Sequence, residues 1–198
     1  MELLWYIALV IFISLSGVLM PGPIFANAIY EGRKNKYAGF KIATGHAIVE
    51  VPIIVSLFLI GRFEFPSMAK SLISIIGGIF LLYLAITFFK NKERRVIKGI
   101  MAGILLSSLN PYFILWWLTV GFSLAIKASY FGLIGLLSLI VFHESCDFSW
   151  YGFITILSNK GARFQKIEKF AALLAFSLLL FFGIYFIYNG IKEIANHL

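Results

Sequence analysis

Residues 38–60 read AGFKIATGHAIVEVPIIVSLFLI. The run has the length of a bilayer crossing, since a helix needs about 20 mainly apolar residues to span roughly 30 Å of hydrocarbon. It also holds His46 and Glu50, which are four residues apart and so share one helix face. Working outward, five more runs of this kind appear, so that the predicted spans cover about 3–29, 38–60, 67–89, 99–126, 130–157 and 170–191. Composition agrees with this reading. Of 198 residues, 61% are hydrophobic and 13% charged, whereas a soluble domain carries about 25% charged residues. The runs are continuous, unlike barrel strands, which alternate over about 10 residues. The expected fold is therefore an all-α integral membrane protein of six transmembrane helices, one domain over residues 1–198.

Residues 1–20 are apolar but lack the basic start of a signal peptide, Glu2 being the only early charge. They are read as a retained helix. Cys146 is the only cysteine, which excludes an intrachain disulfide. The formal net charge of +8 is read as a membrane-topology signal and not as a nucleic-acid footprint. Arg33, Lys34, Lys36 and Lys41 follow the first span, and Lys90, Lys92, Arg94, Arg95 and Lys98 follow the third. Lys160, Arg163, Lys166 and Lys169 follow the fifth, which places thirteen of the 17 Lys and Arg residues on one side. Only Arg62, Lys70, Lys127 and Lys192 fall on the other. Positive residues mark the cytoplasmic face, so the loops after spans one, three and five are expected in the cytoplasm and both termini outside. Residues 91–98 read as the connector between two halves.

The halves resemble each other. The first span is interrupted by Pro21-Gly22-Pro23 and the fourth by Asn110-Pro111, while the second holds His46…Glu50 and the fifth His143-Glu144…Asp147. Both pairs are His-x-x-x-carboxylate, each in the second helix of a group of three. Three is odd, so the second group must cross in the opposite sense. This predicts a 3+3 inverted-topology repeat, about 1–90 and about 99–198, of the kind that builds secondary transporters around discontinuous helices.

Proline removes a backbone N–H and collides with the preceding turn, and the freed backbone groups cannot face lipid. They are either a packing kink or part of a polar site that a half-helix N-terminus would open to a carboxylate. Charges at the bilayer centre are expensive and face the bundle interior. His46, Glu50, His143, Glu144 and Asp147 are therefore expected to meet, either to carry coupling protons or clamp a substrate ammonium, or as a satisfied polar staple between helices. Asn27, Ser107, Ser108 and Asn110, beside the breaks, either bind a zwitterionic ligand or cap freed backbone. Trp116, Trp117, Trp150 and Tyr151 are read as interfacial anchors or packing, Gly77-Gly78 as a close helix contact, and His197 as solvated. No phosphate loop, dinucleotide fingerprint, HExxH or nucleophile elbow is present, and no enzyme activity or cofactor is expected.

With its six spans, Pro21-Gly22-Pro23, Thr44-Gly45-His46 and Ser108-Leu109-Asn110-Pro111, the chain resembles the LysE/RhtB family of amino-acid exporters along essentially its whole length. The resemblance implies proton-driven efflux of amino acids or similar small metabolites across a prokaryotic plasma membrane, and a homodimer. The family's usual Gly-Asp in helix two is Gly45-His46 here, with the acid at Glu50, which marks a divergent branch. The remaining partners are a small-molecule substrate and membrane lipids. An alternative is divalent metal export through His46, Glu50, His143 and Asp147, a ligand set suited to Zn²⁺, Mn²⁺ or Ni²⁺. A less favoured one is a non-transporting membrane subunit.

Overall fold

The computed structural model describes residues 2–20, 22–61, 67–87, 97–161 and 164–195, and these are helical almost throughout. In chain order the helices are α1 (Leu3–Val18), α2 (Pro23–Gly32), α3 (Ala38–Gly61), α4 (Ser67–Thr87), α5 (Gly99–Ser108), α6 (Pro111–Trp116), α7 (Phe122–Ser129), α8 (Gly132–Asn159) and α9 (Phe164–Ala195). A single π-helical turn, Trp117–Gly121, joins α6 to α7. Hydrocarbon offers no partner for a backbone N–H or C=O, and helices satisfy both internally. By length and composition, Ala38–Gly61, Tyr112–Ser129 and Gly132–Asn159 can each cross a bilayer, and the bent pair α1–α2 counts as a fourth crossing if taken as one span. This is the fold of a multi-pass membrane protein.

Both expected interruptions are present. The axes of α1 and α2 differ by 77°. Gly22 is extended, and Pro23 opens α2, at a helix position where no N–H is needed. In the fourth segment α5 stops at Ser108, and Asn110 caps α6, its Oδ1 accepting from Tyr112 N at 3.0 Å. Pro21, the basic residues Lys90, Lys92, Arg94 and Arg95 of the central connector, and His197 lie outside the described residues.

The buried apolar side chains form two clusters. One gathers Tyr6, Val10, Ile13, Ile54, Leu57, Leu124 and Leu139, with Trp117 among them. The other gathers Ile24, Phe25, Ala28, Ile42, Ala43, Ala102, Tyr151 and Ile154. This division orients the chain: α1 contributes to the first cluster and α2 to the second, whereas α5 contributes to the second and the stretch after Asn110 to the first. Likewise α3 passes from the second cluster to the first, and α8 from the first to the second. Both helix breaks therefore fall between the two apolar clusters, and so do the midpoints of α3 and α8.

Polar contacts tie the connectors together at the end beyond the second cluster. The Thr155 hydroxyl donates to Lys36 O (3.0 Å) and the Ser158 hydroxyl to Ile29 O (2.5 Å). Asn27 clasps Ile97, its Nδ2 donating to Ile97 O (2.7 Å) and its Oδ1 accepting from Ile97 N (3.0 Å). Glu31 accepts from Gly99 N at 2.9 Å. The segment after α2, the start of α5 and the end of α8 thus share one end, and these are the basic stretches of the sequence. At the other end Ser129 Oγ donates to Gly61 O at 3.0 Å.

Small residues allow this packing, because without Cβ atoms helix backbones can touch. A Cβ on Gly45 would fall on the Ile100 carbonyl, one on Gly103 on the Ile42 carbonyl, and one on Gly39 on the Tyr151 carbonyl. The expected contact at Gly77-Gly78 resolves into two unlike positions. A Cβ on Gly78 would lie 2.6 Å from Gly183 O on α9, whereas one on Gly77 would meet Thr119 Cβ at an ordinary 3.5 Å. Gly77→Ala is thus expected to keep or raise the thermal midpoint of the detergent-purified protein, since alanine favours a helix by about 1 kcal/mol over glycine. Gly78→Ala should lower stability by about 1–3 kcal/mol through overpacking. Equal midpoints for the two variants would contradict the α4–α9 contact.

Candidate functional site

The polar residues of α3 and α8 meet in the layer between the two apolar clusters. His46 and Glu50 sit on one face of α3, His143 and Asp147 on one face of α8, by the i,i+4 geometry of a helix. His46 Nε2 lies 3.2 Å from Glu50 Oε1 and 3.8 Å from Asp147 Oδ1, and His143 Nε2 lies 3.3 Å from Glu50 Oε1 and 3.5 Å from Asp147 Oδ2. Each histidine thus faces the carboxylate of its own helix and that of the other. The four side chains are buried, with Glu50 and Asp147 each 1% exposed. Among the described residues, every ion pair these two carboxylates make is to His46 or His143.

The opposite edge of each imidazole is held by a serine. His46 Nδ1 is 2.5 Å from Ser107 Oγ on α5, and His143 Nδ1 is 2.6 Å from Ser14 Oγ on α1. The Ser107 hydroxyl donates its one proton to Gly103 O at 2.6 Å. It must therefore accept from His46 Nδ1–H, and this network assigns the Nδ1 proton and leaves Nε2 facing the carboxylates. Rings close the layer: Phe113 and Tyr151 lie edge-on to His46, and Trp117 edge-on to His143.

Trp117 is more than packing. Its Nε1–H donates to Glu50 Oε1 at 2.8 Å, and the ring is 1% exposed in the first apolar cluster, so of the two expectations packing holds and the interfacial anchor does not. It opens the π-helical turn, and such turns re-aim side chains and are frequent at functional sites. A Cβ on Gly121 would fall inside the Trp117 ring, so glycine there leaves room for the indole. Tyr151 is likewise buried, in the second apolar cluster.

Other predicted residues are placed differently. Glu144 is buried beside the cluster, and neither of its carboxylate oxygens has a hydrogen-bond partner among the described residues. Glu50 Oε2 and Asp147 Oδ2 are also without such a partner. Asn27 is not brought to the cluster; its amide is used on Ile97 and on Glu31 Oε1 (2.9 Å). Asn110 caps α6, and Gly22 and Pro23 form the α1–α2 break. Ser14 carried no sequence signal, being one of several serines on an apolar helix. Ser107 stood out only through its nearness to the second break.

A buried His–carboxylate cluster shared by two helices thus lies beside two interrupted helices. Neither a curated protein nor a solved structure matches the chain. The family model described as LysE type translocator matches residues 15–190, and the chain therefore belongs to the LysE type translocator family, a family of membrane transporters.

Proposed function

We propose that the protein is a proton-coupled secondary transporter that exports amino acids or similar small metabolites across a prokaryotic plasma membrane, with the His46–Glu50 and His143–Asp147 pairs as its coupling and substrate site. The observation that carries the reading is the convergence of both pairs at the level of both helix breaks, between two apolar clusters. Ionisable groups at that depth are costly and are otherwise rare in membrane helices. In this reading the chain forms six spans in two inverted groups of three. Its support is the opposite passage of α1–α2 and α5–α7 between the clusters, and of α3 and α8. The serine contacts agree: the second-group histidine meets a serine on the first span, and the first-group histidine meets one on the fourth. The end carrying the basic connectors is then cytoplasmic. Metal export through His46, Glu50, His143 and Asp147 is the second reading, favoured by ligand atoms of His46, Glu50 and Asp147 that all lie within 4.8 Å of one another.

In proteoliposomes loaded with a radiolabelled amino-acid mixture, an imposed proton gradient should drive efflux. His46→Ala and Asp147→Asn should each reduce that efflux about 100-fold and flatten its pH dependence, in protein that still inserts and elutes normally. Efflux and pH profile matching the parent protein would remove the coupling role.

Trp117→Phe keeps the ring against His143 and deletes the indole N–H. Loss of a hydrogen bond to a charged group costs about 1.5–3 kcal/mol, so unfolding stability should drop by that much. In a Glu50→Gln background the same change should cost less than half as much. An undiminished cost there would show that the indole does not act on Glu50.

For orientation, Cys146→Ala protein carrying Lys36→Cys or Ser129→Cys should react with a membrane-impermeant maleimide from opposite sides. Ser129→Cys should label in intact cells and Lys36→Cys in inverted vesicles. The reverse pattern would overturn the topology.

A further inference from the structure

We infer that His46, His143, Glu50 and Asp147 together bind one divalent transition-metal ion of the Zn²⁺ class, held by the two Nε2 atoms and the two carboxylates. The inference deepens the reading of this cluster as the charge-handling centre and rests on it. A tetrahedral Zn²⁺ site has metal–nitrogen and metal–oxygen distances of about 2.0–2.2 Å, which places neighbouring ligand atoms about 3.3–3.6 Å apart. Two nitrogen–oxygen separations, 3.2 and 3.3 Å, run to one oxygen, Glu50 Oε1, on or near that range, and those of 3.8 and 3.5 Å run to the two different oxygens of Asp147; ligand atoms of His46, Glu50 and Asp147 all lie within 4.8 Å of one another. Asp147 Oδ2 makes no hydrogen bond among the described residues, although His143 Nε2 is 3.5 Å away. The contact has the distance of a shared ligand edge without the alignment of a donor–acceptor pair.

The surroundings are those of a metal site as well. A ligating histidine commonly donates its second ring N–H to an outer partner, which fixes the tautomer. The Gly103–Ser107–His46 chain does this, leaving Nε2 as the ring nitrogen that faces Glu50. Ser14 holds the corresponding edge of His143, and the Trp117 indole holds the Glu50 oxygen. Charge points the same way. With both imidazoles in the neutral form that ligates a metal, the two carboxylates leave the set at a net −2, and a divalent ion brings it to zero. Glu144, one residue from His143 and with neither oxygen hydrogen-bonded among the described residues, adds a third buried carboxylate next to this set.

The test uses the full-length protein in detergent, stripped with chelator and dialysed against Zn²⁺ or Co²⁺. Elemental analysis should give one Zn²⁺ per chain, with protons released on binding. The Co²⁺ form should show the intense visible absorption of four-coordinate cobalt. Both signals should vanish in His46→Ala and His143→Ala. Ser107→Ala, which leaves all four ligands in place, should weaken Zn²⁺ binding about 10–100-fold, and Ser107→Thr should retain it. Zn²⁺ binding no greater than in the His46→Ala/His143→Ala double variant, or a weak six-coordinate cobalt spectrum, overturns the site. Running the stripped protein in the amino-acid efflux assay separates the two ideas. Proton-driven efflux without any metal binding overturns the metal site alone, whereas metal binding without amino-acid efflux supports the site and sinks the amino-acid reading.

Discussion

Two histidines and two carboxylates held between apolar clusters set the terms for everything around them. Hydrocarbon provides no hydrogen-bond partners, so each polar atom at that depth must find one inside the bundle. The structure supplies most of them from five helical segments, while Glu50 Oε2, Asp147 Oδ2 and both Glu144 oxygens have no hydrogen-bond partner among the described residues. α3 and α8 bring the charges, α1 and α5 bring serine hydroxyls, and the π-helical turn brings the Trp117 indole. The serine and indole contacts are not local in sequence: Ser14 and His143 are 129 residues apart, and Trp117 and Glu50 are 67 apart. The cluster cannot assemble until both halves of the chain have packed, which makes its integrity a report on the whole fold.

The irregular backbone follows from the same constraint. An uninterrupted fourth span would present its side chains on one helical face throughout. The stop at Ser108, the Asn110 cap and the π-helical turn change that face twice within a few turns. Ser107 before the break and Trp117 after it therefore both reach the cluster, from opposite sides of one segment. Glycines complete the arrangement from behind. Gly103 and Gly45 let α5 approach α3 closely enough for Ser107 to meet His46, and Gly121 clears the volume that the Trp117 ring occupies.

How much of this could be read from residues alone depended on whether a feature was periodic or required contact. The helices were legible, because long apolar runs admit little else, and so were the two proline interruptions. The His-x-x-x-acid pairs announced their own geometry, since spacing of four is spacing along one face. That the pairs would meet followed only from the repeat, and the four nitrogen–oxygen distances are what join them. The bond from Trp117 to Glu50 was not legible, because nothing in the one-letter code reveals a π-helical turn. Asn27 was drawn toward the site by its closeness to Pro21-Gly22-Pro23. The bend after α1 instead carries it to the connector end, where Ile97 and Glu31 occupy its amide. A neighbour of a helix break shares the break's position in sequence but not its position in space.

The likeness between the halves is also incomplete, in a way that bears on alternating access. His46 and His143 have matching serine partners, but the serines differ. Ser107 is committed to Gly103 O, whereas no comparable commitment fixes the direction of the Ser14–His143 bond. One imidazole therefore has its proton assigned to Nδ1, and the other is free to carry it on either nitrogen. Trp117 adds to the imbalance, because it bonds Glu50 and, among the described residues, no indole bonds Asp147. A transporter built from two inverted halves alternates by exchanging the conformations of those halves. The serine and indole differences are written in the sequence, so in the proposed inverted arrangement the two halves cannot exchange fully equivalent states.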